Sequence, residues 1–190
     1  MVCYHSTKIL DKNIILSDGL GTNEWDTYSK NIIKTLRILE VAEKDIVQVH
    51  EAIKRTYDWK YFFEWKGTTV IFYSDTDLLS EDMGAKYEQF CENIGDELAR
   101  QALKKAYPQL YRYLRENGEA FLVKFRIPFT NIKDYLKYSI IYQFVAYFAG
   151  SNFGNYNYEI YFDGDTDKAI MPSDILELIP YGTDRYYFNE

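Results

Sequence analysis

Val2-Cys3-Tyr4-His5-Ser6-Thr7 is the stretch whose reading decides the fold. An apolar start passes into an aromatic ring, an imidazole and two hydroxyls, a composition that favours an extended strand. Side chains alternate along a strand, so such a segment packs one set of groups and offers the other to a neighbour or a ligand. Two later segments have the same character: Thr69-Val70-Ile71-Phe72-Tyr73-Ser74 and Tyr156-Asn157-Tyr158-Glu159-Ile160-Tyr161. Together the three supply a histidine, a tyrosine and a carboxylate on separate strands.

Around these strands the periodicity is mixed. After Val2–Thr7, the segment from Lys8 to Gly19 reads as a helical turn or short helix stopped by Gly19, with Gly19-Leu20-Gly21 as a turn. Asn23 is placed to cap a long helix running to about Val41, with Trp25, Tyr28, Ile32, Leu36 and Leu39 on one face. A second helix from about Glu43 to Tyr57 carries Ile46, Val49, Ile53 and Tyr57, and the two form a helical hairpin over about 23–58. Thr68–Ser74 is a strand, Ala85–Ala106 a helix, and Pro108 opens a short helix ended at Asn117-Gly118. Ala120–Ile127 is a strand and Ile132–Ala149 a helix. Within that helix the apolar run from Tyr138 to Ala149 is read as buried. Asn157–Phe162 is a strand, Asp163-Gly164-Asp165 a hairpin turn, and Ile175–Ile179 the last strand. Strands and helices do not alternate strictly, so the class is α+β, in one domain spanning 1–190.

Composition narrows the function. Apolar residues are 47% of the chain, and 19 Tyr and 12 Phe make its core and clefts rich in rings. A net charge of -7 argues against binding driven by nucleic-acid backbone phosphates. Cys3 and Cys91 stand alone and read as reduced core thiols, and His5 and His50 complete no paired zinc spacing, so no metal site is expected. No secretory signal and no membrane-length apolar run is visible, and the expectation is a cytoplasmic protein. Asp163, Asp165 and Asp167 lack the closing Glu of a calcium loop. His50 lies between apolar helix positions and reads as structural.

The order of the motifs carries a resemblance. Tyr4-His5-Ser6-Thr7 followed by Ile14-Ile15-Leu16-Ser17-Asp18-Gly19-Leu20 looks like the opening of ADP-ribosyltransferase folds. Ile71-Phe72-Tyr73-Ser74 resembles their middle strand. Tyr158-Glu159-Ile160-Tyr161-Phe162 with Ile170-Met171-Pro172-Ser173-Asp174-Ile175 resembles the catalytic strand and the corner after it. The set is similar to the His-Tyr-Glu branch, which includes poly-ADP-ribose polymerases and diphtheria-like toxins. It implies a split mixed or antiparallel sheet, with the helical hairpin near the N-terminus as an insertion. It also implies NAD as substrate and glycosyl transfer to a macromolecular acceptor, protein ahead of nucleic acid given the charge. Toxin, phage effector and defence component are the settings it brings to mind by analogy alone.

The resemblance gives Glu159 the role of stabilising an oxocarbenium-like state and holding the ribose 2′-hydroxyl, as carboxylates do in glycoside hydrolysis. His5 orients the ribose or adenosine side, and Tyr73 stacks on nicotinamide. Tyr4, Ser6, Thr7 and Ser74 complete the dinucleotide contacts. The pattern departs from the family in four places. Ser6 stands where many relatives have Gly, and Asn157 replaces the acid or amide that directs transfer to Arg. Met171 replaces a Pro, and the helical hairpin has no counterpart.

Two other readings stay open. One is a non-catalytic acidic binding or inhibitor protein on the same fold, using the ring-rich Tyr181–Phe188 segment and the helical hairpin. The other is a paired-acid hydrolase using Glu92, Asp96 and Glu159. Glu92, Asp96 and Arg100 share a helical face with a mid-helix Gly95, and Glu97 lies nearby, a pattern that also fits a solvated charged surface.

Overall fold

A computed structural model of the chain describes residues 1–22, 24–38, 40–60, 70–73, 104, 107–153, 163–180 and 182. Expectations for Asn23, Ser74, the Ala85–Ala106 helix, Cys91, the Glu92–Arg100 face, the Asn157–Phe162 strand with Glu159, and Tyr181–Phe188 fall outside those residues.

The class is α+β. Strand β1 (Val2–Ile9) lies at the centre of a five-stranded sheet with β2 (Val70–Tyr73) on one side and β3 (Glu119–Arg126) on the other. Strands β4 (Asp163–Thr166) and β5 (Ile175–Pro180) lie outermost among the described strands, and every described pairing is antiparallel. The β1–β3 ladder is unbroken over eight residue pairs, from Val2↔Arg126 to Ile9↔Glu119. At its start the Met1 ammonium donates to the Ile127 carbonyl at 2.8 Å, and the Ile127 N–H donates to the Met1 carbonyl at 2.9 Å.

Alternation along β1 and β3 builds the main core. Cys3 stands opposite Phe125 and His5 opposite Val123. Cys3, Val123 and Phe125 join Ile127, Ile132, Ile15 of α1 (Asn13–Asp18) and Leu136 and Ile140 of α5 (Asp134–Phe153) in one buried cluster. Burial of that many large apolar side chains, at roughly 1.5–3 kcal/mol each, is the main force holding helices to the sheet.

A second cluster belongs to α2 (Trp25–Ile38) and α3 (Glu43–Lys60), which pack as the expected hairpin. Leu36, Ile46, Val49 and Ile53 are buried there, with Tyr107, Leu110 and Tyr111 packed against them at the start of α4 (Pro108–Asn117). The turn closes through the Val41 N–H donating to the Leu36 carbonyl at 3.1 Å, with Glu40 at a φ of 54°. Trp25 stacks at tilted angles on His50 and Tyr57, both at 5.0 Å between centroids. The Lys54 ammonium lies 4.8 Å from the Trp25 ring and pairs with Asp58. His50 thus has a packing role.

Three expectations are corrected. The first strand runs to Ile9, because Lys8 and Ile9 continue the ladder against Ala120 and Glu119, so helix α1 begins only at Asn13. Asp163-Gly164-Asp165 is not a turn but part of strand β4, paired residue by residue with β2 from Val70↔Thr166 to Tyr73↔Asp163. The acidic pattern that suggests a turn is accommodated in the strand, where Lys133 pairs with Asp165 at 2.8 Å. Finally, Tyr138–Ala149 is helical but not buried. Leu136 and Ile140 meet the core, while Tyr138 and Tyr142 are each 74% exposed. A helix resting on one sheet face covers a single stripe, whatever the apolarity of its other sides.

Candidate functional site

The candidate site is the seam between β1 and β2. Among the described residues these neighbours register at Tyr4↔Tyr73. On its other side β1 is paired to β3 throughout, His5, Ser6 and Thr7 included.

Of the residues singled out in the sequence, Tyr4, His5, Ser6 and Thr7 lie consecutively on β1, and the backbone of Tyr73 stands opposite Tyr4. Register assigns parity: Tyr73 is opposite Tyr4 and so shares the strand parity of Tyr4 and Ser6, whereas His5 and Thr7 have the other. Tyr4 is buried, and His5 and Thr7 are half-buried. Glu159 and Ser74 lie outside the described residues.

Ser6 carries the sharpest chemical signal. Its residue is 7% exposed, and its Oγ is the one buried side-chain polar atom without a hydrogen-bond partner among the described residues. A buried hydroxyl left unmade is unfavourable by about 1–3 kcal/mol and calls for an explanation, an incoming polar group being one. By contrast Thr166, fully buried on β4, donates to the Asn131 carbonyl at 2.7 Å and accepts the Lys168 N–H at 3.1 Å.

Sequence reasoning passed over one charged neighbour. Lys124 stands directly opposite Tyr4 on β3 and directly opposite Glu177 on β5. Its ammonium lies 5.8 Å from the Tyr4 ring, a cation–π distance. The signal was available: a lysine flanked by Val123 and Phe125 on a strand faces away from their core side. The row therefore sets an aromatic ring and a cation side by side on the parity of Ser6.

A second junction joins distant motifs. Gly19 ends α1 with a φ of 76°, its N–H donating to the Ile15 carbonyl at 2.9 Å. Leu20 and Ile170 then exchange both backbone hydrogen bonds, each at 2.9 Å. Immediately after Ile170, Pro172–Asp174 forms a 3-10 turn leading into β5. The opening motif and the corner motif are thus in contact.

Among the described residues, no three His, Cys, Asp or Glu side chains are grouped to hold a metal ion, and no helix is long and apolar enough to cross a membrane. Comparison with family models, with curated proteins and with solved structures found no match.

Proposed function

We propose that the chain is an ADP-ribosyltransferase-like enzyme that takes NAD as substrate and transfers ADP-ribose to a macromolecular acceptor, protein ahead of nucleic acid. The observation that carries this reading is the β1–β2 seam with the partnerless, buried Ser6 Oγ beside it. The contact between the Gly19-Leu20 and Ile170–Ile175 segments supports it, since both carry the resemblance and the fold brings them together. In this reading the fold is the ADP-ribosyltransferase-like sheet, with the α2–α3 hairpin as its insertion.

In this reading NAD lies along β1 on the side of β2. Ser6 then gains the hydrogen bond it lacks, and the carboxamide or a hydroxyl of NAD suits an atom that both donates and accepts. His5 orients the ribose side by hydrogen bonding, and Tyr73 stacks on nicotinamide. Lys124, beside Tyr4, offers positive charge to the pyrophosphate. Tyr4, Thr7 and Ser74 complete the contacts. Glu159 stabilises the positive charge that develops at the ribose anomeric carbon and holds the 2′-hydroxyl. Nicotinamide departs with the bonding pair, a nucleophilic atom of the acceptor forms the new glycosidic bond, and that atom's proton is released to solvent. Positioning and electrostatics carry the reaction, without a resident cofactor.

The reading is tested with NAD labelled on the adenylate part, incubated with purified chain and cell lysate. Wild type transfers label to a macromolecule, and Glu159→Gln does not while keeping its fold. Absence of transfer by a folded wild type would shift the assignment to the non-catalytic binding protein.

A further inference from the structure

The main core takes one face of the sheet, through Cys3, Val123 and Phe125. The reverse face carries Tyr4 and Ser6 of β1, with Lys124 opposite Tyr4 and Leu122 opposite Ser6. Two polar groups on it stand out. The Ser6 hydroxyl is buried without a hydrogen-bond partner, and the row across the sheet from it offers none, since it continues through Leu122 and Ile179, both buried and apolar. Lys124 is half-buried and stands directly opposite Glu177. Yet its ammonium lies over the Tyr4 ring, on the β1 side, and among the described residues it forms no ion pair with that carboxylate.

We propose that Ser6 and Lys124 form one subsite that reads a ribose phosphate, with Lys124 selecting phosphorylated ribosides over unphosphorylated ones. The inference rests on the NAD reading for the ligand being a nucleotide, and it adds the unit recognised and the residue that selects it. Placement supports it first. With Tyr4↔Lys124 and Ser6↔Leu122 as pairs, Ser6 and Lys124 are diagonal neighbours on one face, about 7–8 Å apart and within reach of a long side chain. A ribose hydroxyl and the phosphate on the 5′ carbon of the same sugar are separated on that scale. Chemistry supports it next. A sugar hydroxyl both donates and accepts, which suits the partnerless Ser6 Oγ. An ammonium partly withdrawn from water onto a ring has no full counter-charge, and a phosphate oxygen supplies one through a charge-assisted hydrogen bond. Direction agrees. Glu177 lies on the far side of Lys124 and repels an anion from there, so the phosphate meets the ammonium from β1, the strand that carries Ser6.

The test is calorimetric titration of the full chain with nicotinamide mononucleotide and nicotinamide riboside, which differ only in the phosphate. Wild type is compared with Lys124→Met, Lys124→Arg and Ser6→Ala, with circular dichroism as the check of folding. Wild type and Lys124→Arg bind the mononucleotide at least about tenfold more tightly than the riboside, the scale of a hydrogen bond to a charged group. Lys124→Met brings the two within about twofold, whereas Ser6→Ala weakens both alike and leaves the ratio unchanged. A wild type that binds the two equally, or binds neither, would overturn the proposal, as would a folded Lys124→Met protein that keeps the tenfold ratio. Nicotinamide release from NAD, measured on the same proteins, separates this inference from the enzymatic reading. A Lys124-dependent ratio without release keeps the subsite and removes the transferase, and release without the ratio does the reverse.

Discussion

A Cβ placed on Gly19 would stand 2.0 Å from the carbonyl oxygen of Ile170, a backbone atom that cannot swing aside. Gly19 also sits at a φ of 76°, where side-chain-bearing residues are strained. Gly19→Ala is therefore expected to destabilise the protein by at least about 2 kcal/mol, a fall in Tm of roughly 4–8 °C for a chain of this size. Thermal melting checks it. Because the glycine joins α1 to the turn before β5, the substitution also separates the opening motif from the corner motif.

Ser6→Ala is expected to act in opposite directions on stability and on ligand binding. Removing a buried hydroxyl that has no partner leaves the ligand-free protein as stable as before or more stable by up to about 1 kcal/mol. The same change weakens NAD binding several-fold, since the hydrogen bond completed by the ligand is lost. Denaturant titration and calorimetric NAD titration read the two effects separately.

In the helical hairpin, Trp25 touches both His50 and Tyr57 and lies beneath the Lys54 ammonium. Trp25→Ala is expected to lower stability by about 2–4 kcal/mol, through lost ring packing and the cavity left behind. Lys54→Met keeps most of the stem's packing and forfeits the cation–π contacts with Trp25 and Tyr57 and the ion pair with Asp58, about 1 kcal/mol together. Chemical denaturation of both variants should preserve that order.

On β4, Lys133 holds Asp165, which also accepts a hydrogen bond from the Tyr135 hydroxyl at 3.1 Å. Asp165 is 23% exposed at its side chain, so its charge is partly desolvated. Lys133→Met is expected to lower stability by about 1 kcal/mol, less in high salt than in low, because screening already weakens the intact pair. The salt dependence, measured by denaturation at two ionic strengths, distinguishes a charge effect from lost packing.

The helical hairpin was legible because Trp25, Leu36, Ile46, Val49 and Ile53 repeat at helical spacing and partner each other directly. The central strand was legible from its residue types, but its length was not. Lys8 is a poor strand former and Ile9 also fits the apolar helical pattern of Leu10, Ile14 and Ile15, so only the ladder to Ala120 and Glu119 extends the strand. Asp163-Gly164-Asp165 misled for the same reason: local turn chemistry yields where a neighbouring strand offers a full set of hydrogen bonds. Apolarity alone could not say that Tyr138, Tyr142 and Val145 face solvent, since a helix that is apolar all round reads alike whether one side or every side is covered. At the site, the residue types of β1 identified the strand, while the placing of Tyr4 opposite Tyr73 depends on register and has no signature in composition.

The central claim is that this chain breaks the nicotinamide–ribose bond of NAD, and release of free nicotinamide by the purified protein measures it most directly. The account predicts release by wild type, strong loss in His5→Ala, and loss to background in Glu159→Gln with the fold retained. A folded wild type that releases no nicotinamide with or without an acceptor-containing lysate would contradict it, as would a Glu159→Gln protein as active as wild type.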